Sequence, residues 1–292
     1  MDNTPDENKD LNKKDIVVLG VPLDSNSSFR KGSALAPVRI KESLFSESSN
    51  LCTEKGYDLG AIPGWHFLSD LEIPDEKNAF TQIENHIAGL LRKNLRVITL
   101  GGDHSITIPL VRAYAGKYPN LNILHFDAHP DLYDELGGNR YSHACPFARI
   151  MEENLTQRLV QVGIRTLTEH QYRLAQRFGV EIIQMDNMGA AKNISFEGPI
   201  YISLDMDCLD PAFAPGVSHH EPGGMSTRDV LELIKNVKGE IVGADIVEYN
   251  PERDINGVTG MVAGKLLKEI MARILESTNP DKCSSFIRSG SS

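Results

Sequence analysis

The sequence predicts an α/β domain built on a mainly parallel β-sheet. Three observations carry this expectation. Most of seven short apolar runs are continuous rather than alternating, as strands are when both sheet faces are covered. Amphipathic patterns of helical period lie between them, giving repeated βα units. Acidic and imidazole-rich clusters directly follow four of the runs, at the carboxyl ends of strands, where ligands sit in such sheets.

The elements follow in order. Residues 1–14 are polar and read as a solvated tail. The first apolar run is 16–19. Pro37 suits the first turn of a helix at 37–44, where its fixed φ helps and its missing N–H costs nothing. A helix at 80–92 leads to the run 96–100, and a helix at 106–117 leads to the run 122–126. The runs 159–163 and 180–183 enclose a helix at 169–177. After the run 200–204, Ser226 is placed to cap a helix at 227–236. The run 241–246 and a helix at 262–275 complete the pattern. Residues 277–292 are Ser-rich, contain Pro280 and Gly290, and read as a second polar tail. Residues 15–276 then form one domain, which suits a chain of 292 residues. That length buries most of its apolar surface without disulfides or a structural metal.

Composition narrows the function. Cys52, Cys145, Cys208 and Cys283 lie far apart with no CxxC pair, so neither a disulfide scaffold nor a zinc finger is expected. The net charge of −10 and the lack of a basic stripe argue against nucleic acid as a partner. No apolar stretch approaches the roughly 20 residues of a membrane-spanning helix. The first 14 residues lack both Arg and an apolar segment, so a cytoplasmic location is expected. An acidic surface favours cations as ligands.

The four clusters carry the chemistry. They are Gly101-Gly102-Asp103-His104-Ser105, Asp127-Ala128-His129-Pro130-Asp131, Asp205-Met206-Asp207-Cys208 and Glu248-Tyr249-Asn250-Pro251. In extended chain, alternate residues face one side, so Asp127, His129 and Asp131 converge, as do Asp205 and Asp207. Such a density of carboxylates repels itself unless protons or cations neutralise it. Four Asp and two His exceed the needs of one four-coordinate metal and suit two divalent ions sharing carboxylates, roughly 3.5–4 Å apart. The oxygen-rich, sulfur-free donors favour Mn²⁺, with Zn²⁺, Fe²⁺, Co²⁺ and Ni²⁺ also compatible.

Other polar residues receive simpler readings. His125, inside an apolar run, reads as a satisfied core histidine. His219 and His220 read as loop anchors, and His66, His86 and His170 have no companions. Asp210 before Pro211 starts a turn. Cys145 and Cys208 read as small packing residues. His143, in the loop after the Asp-His-Asp cluster, is placed to shuttle protons.

In this order, Gly-Gly-Asp-His-Ser, Asp-Ala-His-Pro-Asp and Ser203 to Gly216 resemble the ureohydrolases, the family of arginase, agmatinase and their relatives. The resemblance covers residues 15–276. It implies a three-layer αβα domain with a sheet of about eight strands. It implies that His104, Asp127, Asp131 and Asp205 hold one manganese, and that Asp127, His129, Asp205 and Asp207 hold the other. It further implies His143 as proton-transfer residue, Asp131 as acceptor of the reacting water's hydrogen bond, and Glu248 as the carboxylate holding a guanidinium. The reaction is then hydrolysis of a small cationic guanidino compound to urea and an amine, in a homotrimer or homohexamer. Residues 139–143 read Asn-Arg-Tyr-Ser-His, where animal-type arginases have Ser-Gly-Asn-x-His, and this favours agmatine, giving putrescine. Residues 138–144, 215–219 and 250–254 look similar to plant-type arginases, which makes L-arginine the alternative; Arg140 reads as a surface arginine first and as a partner for the substrate carboxylate second. Guanidino acids, guanidine, and a deacetylase-like metal hydrolase are further alternatives.

Overall fold

The computed structural model describes residues 11–278. The two tails expected at the ends fall largely outside these residues. Eight strands form one sheet: β1 (Ile16–Val21), β2 (Trp65–Phe67), β3 (Arg96–Gly101), β4 (Asn122–Phe126), β5 (Arg158–Ile164), β6 (Glu181–Gln184), β7 (Ser195–Asp205) and β8 (Lys238–Val247). Seven α-helices accompany them among these residues: α1 (Ala36–Leu44), α2 (Ala79–Arg92), α3 (Thr107–Lys117), α4 (Pro146–Glu152), α5 (Glu169–Phe178), α6 (Thr227–Asn236) and α7 (Val258–Thr278). The sheet order is β2-β1-β3-β8-β7-β4-β5-β6, and every pairing is parallel.

Successive strand residues face opposite sides, and this splits the core in two. Val18, Ile98, Leu124 and Ile202 pack with α1, α6 and α7. Val17, Val97, Ile123 and Tyr201 pack with α2, α3 and α4. The result is the expected three layers. The local signals act as read: Pro37 lies in the first turn of α1, and Ser226 caps α6 in a reciprocal capping box with Asp229. Among the strands and α-helices, two escape the sequence reading. The edge strand β2 is three half-buried residues, too short for a period. The helix α4 has seven residues and starts at Pro146, directly after the loop carrying His143.

Parallel pairing aims all carboxyl ends the same way, and β3, β8, β7 and β4 are neighbours. These are the strands that the four clusters follow. One level below their ends runs a buried polar row in register: Gln161 on β5, His125 on β4, Ser203 on β7, Asp245 on β8 and Thr99 on β3. Two glycines allow the close packing here. A Cβ on Gly102 would lie 1.9 Å from the Leu23 carbonyl oxygen, and one on Gly243 would lie 1.9 Å from the Tyr114 hydroxyl.

Candidate metal centre

The side chains of His104, Asp127, Asp131, Asp205, His129 and Asp207 converge beyond the strand ends. His104 Nδ1 lies 3.3 Å from Asp127 Oδ2, 3.1 Å from Asp131 Oδ2 and 3.2 Å from Asp205 Oδ2. His129 Nδ1 lies 3.1 Å from Asp207 Oδ2 and 3.4 Å from Asp127 Oδ1. Asp127 therefore stands between the two imidazoles.

The convergence does not come from extended chain, because the chain leaves the strand at Asp127. His129 N–H donates to Asp127 Oδ1 at 2.7 Å, and Asp207 N–H donates to Asp205 Oδ1 at 2.7 Å. Each Asp closes a tight turn over its own backbone, as short acceptor side chains do. One oxygen is spent on the turn, and the other faces His104. Asp207 repeats the division: Oδ1 accepts from Ala128 N–H at 3.2 Å, and Oδ2 faces His129. Asp131 is turned inward by a backbone φ of 50°.

The donor set fits a cation. His104 Nδ1 is buried without a hydrogen-bond partner. Its other nitrogen, Nε2, lies 3.0 Å from Ser203 Oγ, and that hydroxyl donates to Asp245 Oδ1 at 2.8 Å. The single hydroxyl proton is thus used, so Ser203 accepts the Nε2 proton, and Nδ1 is the nitrogen left to take a cation or a second proton. Asp245 is fixed by Tyr201 and Thr107, whose hydroxyls donate at 2.8 and 2.9 Å. A ring anchored on its far side with its near nitrogen free among carboxylates is the arrangement of a metal-binding histidine.

Electrostatics agree. Burial, then Asp207 and Asp127, push the Asp205 carboxyl well above the carboxylate range. Burial and Asp127 bring Asp131 up to about 6. For His104, the pull of burial is outweighed by Asp127, Asp131 and Asp205, which hold its imidazole well above its usual range. The cluster demands positive charge, whether from protons or metal ions. His125 answers differently: burial takes it down to about 4 despite the adjacent Asp127 carboxylate, so it stays neutral.

His143 and Glu248 meet beside the cluster. His143 Nδ1 lies 2.8 Å from Glu248 Oε1, and its Nε2 lies 2.8 Å from Ser28 Oγ. Glu248 Oε1 also accepts from the His104 backbone N–H at 2.9 Å. Burial lowers the His143 imidazole, but the Glu248 charge and bond win and raise it to about 9. Asp103 ties down the neighbouring loop, accepting from Asn26 N–H at 2.9 Å, and caps the turn at Ser105. A cavity of about 370 Å³ opens over the cluster, lined by Asp131, Asp205, Asp207, His143 and Glu248 together with His219.

Several readings of single residues resolve here. His219 is not only a loop anchor: its ring lies 5.2 Å from that of His143, in the cavity wall. His220 is an anchor, bonded to Pro215 O at 2.7 Å. Asp210 serves its turn, accepting from the backbone of Ala212, Gly223 and Gly224. Arg140 pairs with Glu152 at 3.0 Å on the surface and does not reach the cavity. Cys145 and Cys208 are buried, with thiols raised by burial, as suits packing residues; Cys283 lies outside the described residues. The residues missed were Ser28, Ser203, Gln161 and Asp245.

Comparison with known proteins follows the same line. Residues 14–272 match the family model "Arginase family". The mitochondrial arginase of Medicago truncatula is 45% identical over 276 residues, covering 88% of this chain and 81% of that protein. The guanidinobutyrase of Pseudomonas aeruginosa is 32% identical over 284 residues, covering 90% and 87%. The solved arginase of Medicago truncatula superposes with a TM-score of 0.86 at 44% identity, over 89% of this chain and 87% of that one. With its sheet, its residue cluster and these likenesses in agreement, the chain belongs to the arginase family, hydrolases that cleave C–N bonds of linear amidines.

Proposed function

We propose that the protein is an arginase, hydrolysing L-arginine to ornithine and urea with two Mn²⁺ ions per chain. The observation that carries the substrate is the contrast in identity: 45% to a plant arginase against 32% to a guanidinobutyrase. It outweighs the agmatine reading, which rested on one five-residue departure in the loop before His143. The cavity supports an amino-acid substrate. Hydroxyls of Ser28, Thr166 and Thr168, the Gln171 carboxamide and the Glu221 carboxylate line it, offering neutral donors for an α-carboxylate and an acceptor for an α-ammonium.

His104, Asp127, Asp131 and Asp205 would hold one ion, and Asp127, His129, Asp205 and Asp207 the other, with the oxygen-rich donors favouring Mn²⁺. When bound, such ions supply a water of lowered pKa and positive charge beside the reacting carbon. Asp131 accepts a hydrogen bond from the attacking water and orients it. Glu248 takes the planar guanidinium by charge-assisted hydrogen bonds. To do so it gives up the His143 imidazolium, which Ser28 keeps in place through Nε2. The proton on His143 Nδ1 then faces the reacting group and is delivered to the leaving amine.

Urea release from L-arginine, agmatine, 4-guanidinobutyrate and guanidine by the Mn²⁺-loaded protein tests the substrate. L-arginine is expected to have the highest kcat/KM, and a higher value for agmatine would replace it. Elemental analysis tests the centre: two Mn²⁺ per chain in the wild type, fewer in Asp207→Ala, with most activity lost. Full occupancy in that variant would remove Asp207 from the ligand set. The expected assembly is a homotrimer or homohexamer, read by sedimentation.

A further inference from the structure

One buried imidazole beside the centre is not used by this mechanism. His125 lies in β4, wholly buried, with Nε2 2.8 Å from Asp127 Oδ2 and Nδ1 3.0 Å from Gln161 Nε2. Gln161, equally buried, is its register partner on β5. The same Gln161 Nε2 lies 2.7 Å from the Pro130 carbonyl oxygen.

These contacts fix one another in sequence. A carbonyl oxygen only accepts, so Pro130 decides that the NH₂ end of the Gln161 carboxamide faces it. The second N–H of that group points at His125 Nδ1, which must then carry a lone pair. A neutral imidazole with a bare Nδ1 has its proton on Nε2. That proton faces Asp127 Oδ2. Phe147, with its ring centroid 3.9 Å from that of His125, closes the other side. Asp127 is thus gripped at both oxygens, by His125 at Oδ2 and by the His129 backbone at Oδ1. Its remaining lone pairs are left for the centre. The opposite tautomer would set an imidazole lone pair against a carboxylate oxygen.

We propose that Pro130, Gln161 and His125 form a hydrogen-bond relay that orients Asp127, making Gln161 a positioning residue for the centre from the neighbouring strand. The proposal rests on the two-cation reading above. It differs from a packing role for His125, which any neutral tautomer would fill, and from direct ligation by His125, which needs a bare Nε2.

The test has two readouts. Long-range ¹H–¹⁵N spectra of histidine-labelled, metal-free protein report the tautomer, with His125 assigned by its loss in His125→Gln. A proton on Nε2 and none on Nδ1 is expected; a proton on Nδ1 overturns the relay. Equilibrium dialysis against graded free Mn²⁺, followed by elemental analysis, reports affinity. Gln161→Leu keeps the volume and loses both donors, and is expected to weaken Mn²⁺ binding by roughly 10–100-fold, the usual effect of removing such outer partners. Gln161→Glu should weaken it further, because a carboxylate meets Pro130 O as a second acceptor and calls the His125 proton to Nδ1. If Gln161→Glu does not fold, Gln161→Leu decides alone. Wild-type affinity in a folded Gln161→Leu overturns the proposal. Wild-type protein that binds no Mn²⁺ sinks the two-cation reading instead, while the tautomer still decides the relay.

Discussion

Asp131 and Glu248 hold φ angles of 50° and 63°, in the region that side chains with a Cβ avoid. Glu248 directly follows β8 and Asp131 lies in the loop after β4, and both carboxylates line the cavity. Such backbone costs of order 1–3 kcal/mol apiece and gathers at functional sites. Beside Glu248, His143 gives a prediction with a definite sign. Its imidazole rises from its ordinary 6.5 to about 9 in the folded chain. Stability from the pair is therefore fully present below the unfolded value and is lost as pH rises through the folded one. In metal-free protein, the Tm gap between wild type and His143→Asn should be widest near about pH 6 and close by about pH 10. A gap that does not change with pH would mean that the bond holds without charge. The six candidate ligands were legible because each follows an apolar run as a visible polar label. Ser203, Asp245 and Gln161 were not, because they sit inside the runs, and His125 was legible as a satisfied core histidine but not by its partners. Their meaning lies in which residue faces them across the strands, and strand order is not printed in any local stretch of chain.

At the scale of elements, the β3-β8-β7-β4 block brings residues from four separate stretches to one edge. Its tightness rests partly on Gly243. A methyl group there would meet the Tyr114 hydroxyl at 1.9 Å, and Tyr114 in turn donates to Val97 O at 2.7 Å. Gly243→Ala should cost about 1–3 kcal/mol by overpacking. Denaturant unfolding measures this. In a Tyr114→Leu background the same change should cost clearly less, since neighbours that clash couple; equal costs in both backgrounds would locate the strain elsewhere. Most elements were legible from apolar continuity and caps, within a few residues at their ends. β2 and α4 were not: three residues and seven residues are too few to display a period, and both are held by tertiary packing.

For the whole molecule, the centre joins β3, β4 and β7 and is therefore a cross-link as well as a reaction site. A ligand that binds only the folded chain stabilises it by mass action, about 2.7 kcal/mol per site at a hundredfold excess over Kd. Removing the divalent ions with a chelator should accordingly lower Tm by roughly 10 °C, read by scanning calorimetry. A Tm indifferent to chelator would mean that the ions do not tie the strands together. The fold class was legible at this scale, from alternation of strand and helix alone. The sheet order was not, because it depends on which edges meet after collapse.

That order has a consequence for biosynthesis. Among the described residues β8 is the last strand to be made, yet it lies between β3 and β7. Until residues 238–247 emerge, the nascent chain carries two half-sheets with facing bare edges, each a template for pairing with a stranger. Neither half is sealed until β8 is made, so a chaperone that shields those edges has its work in the interval between synthesis of β7 and of β8.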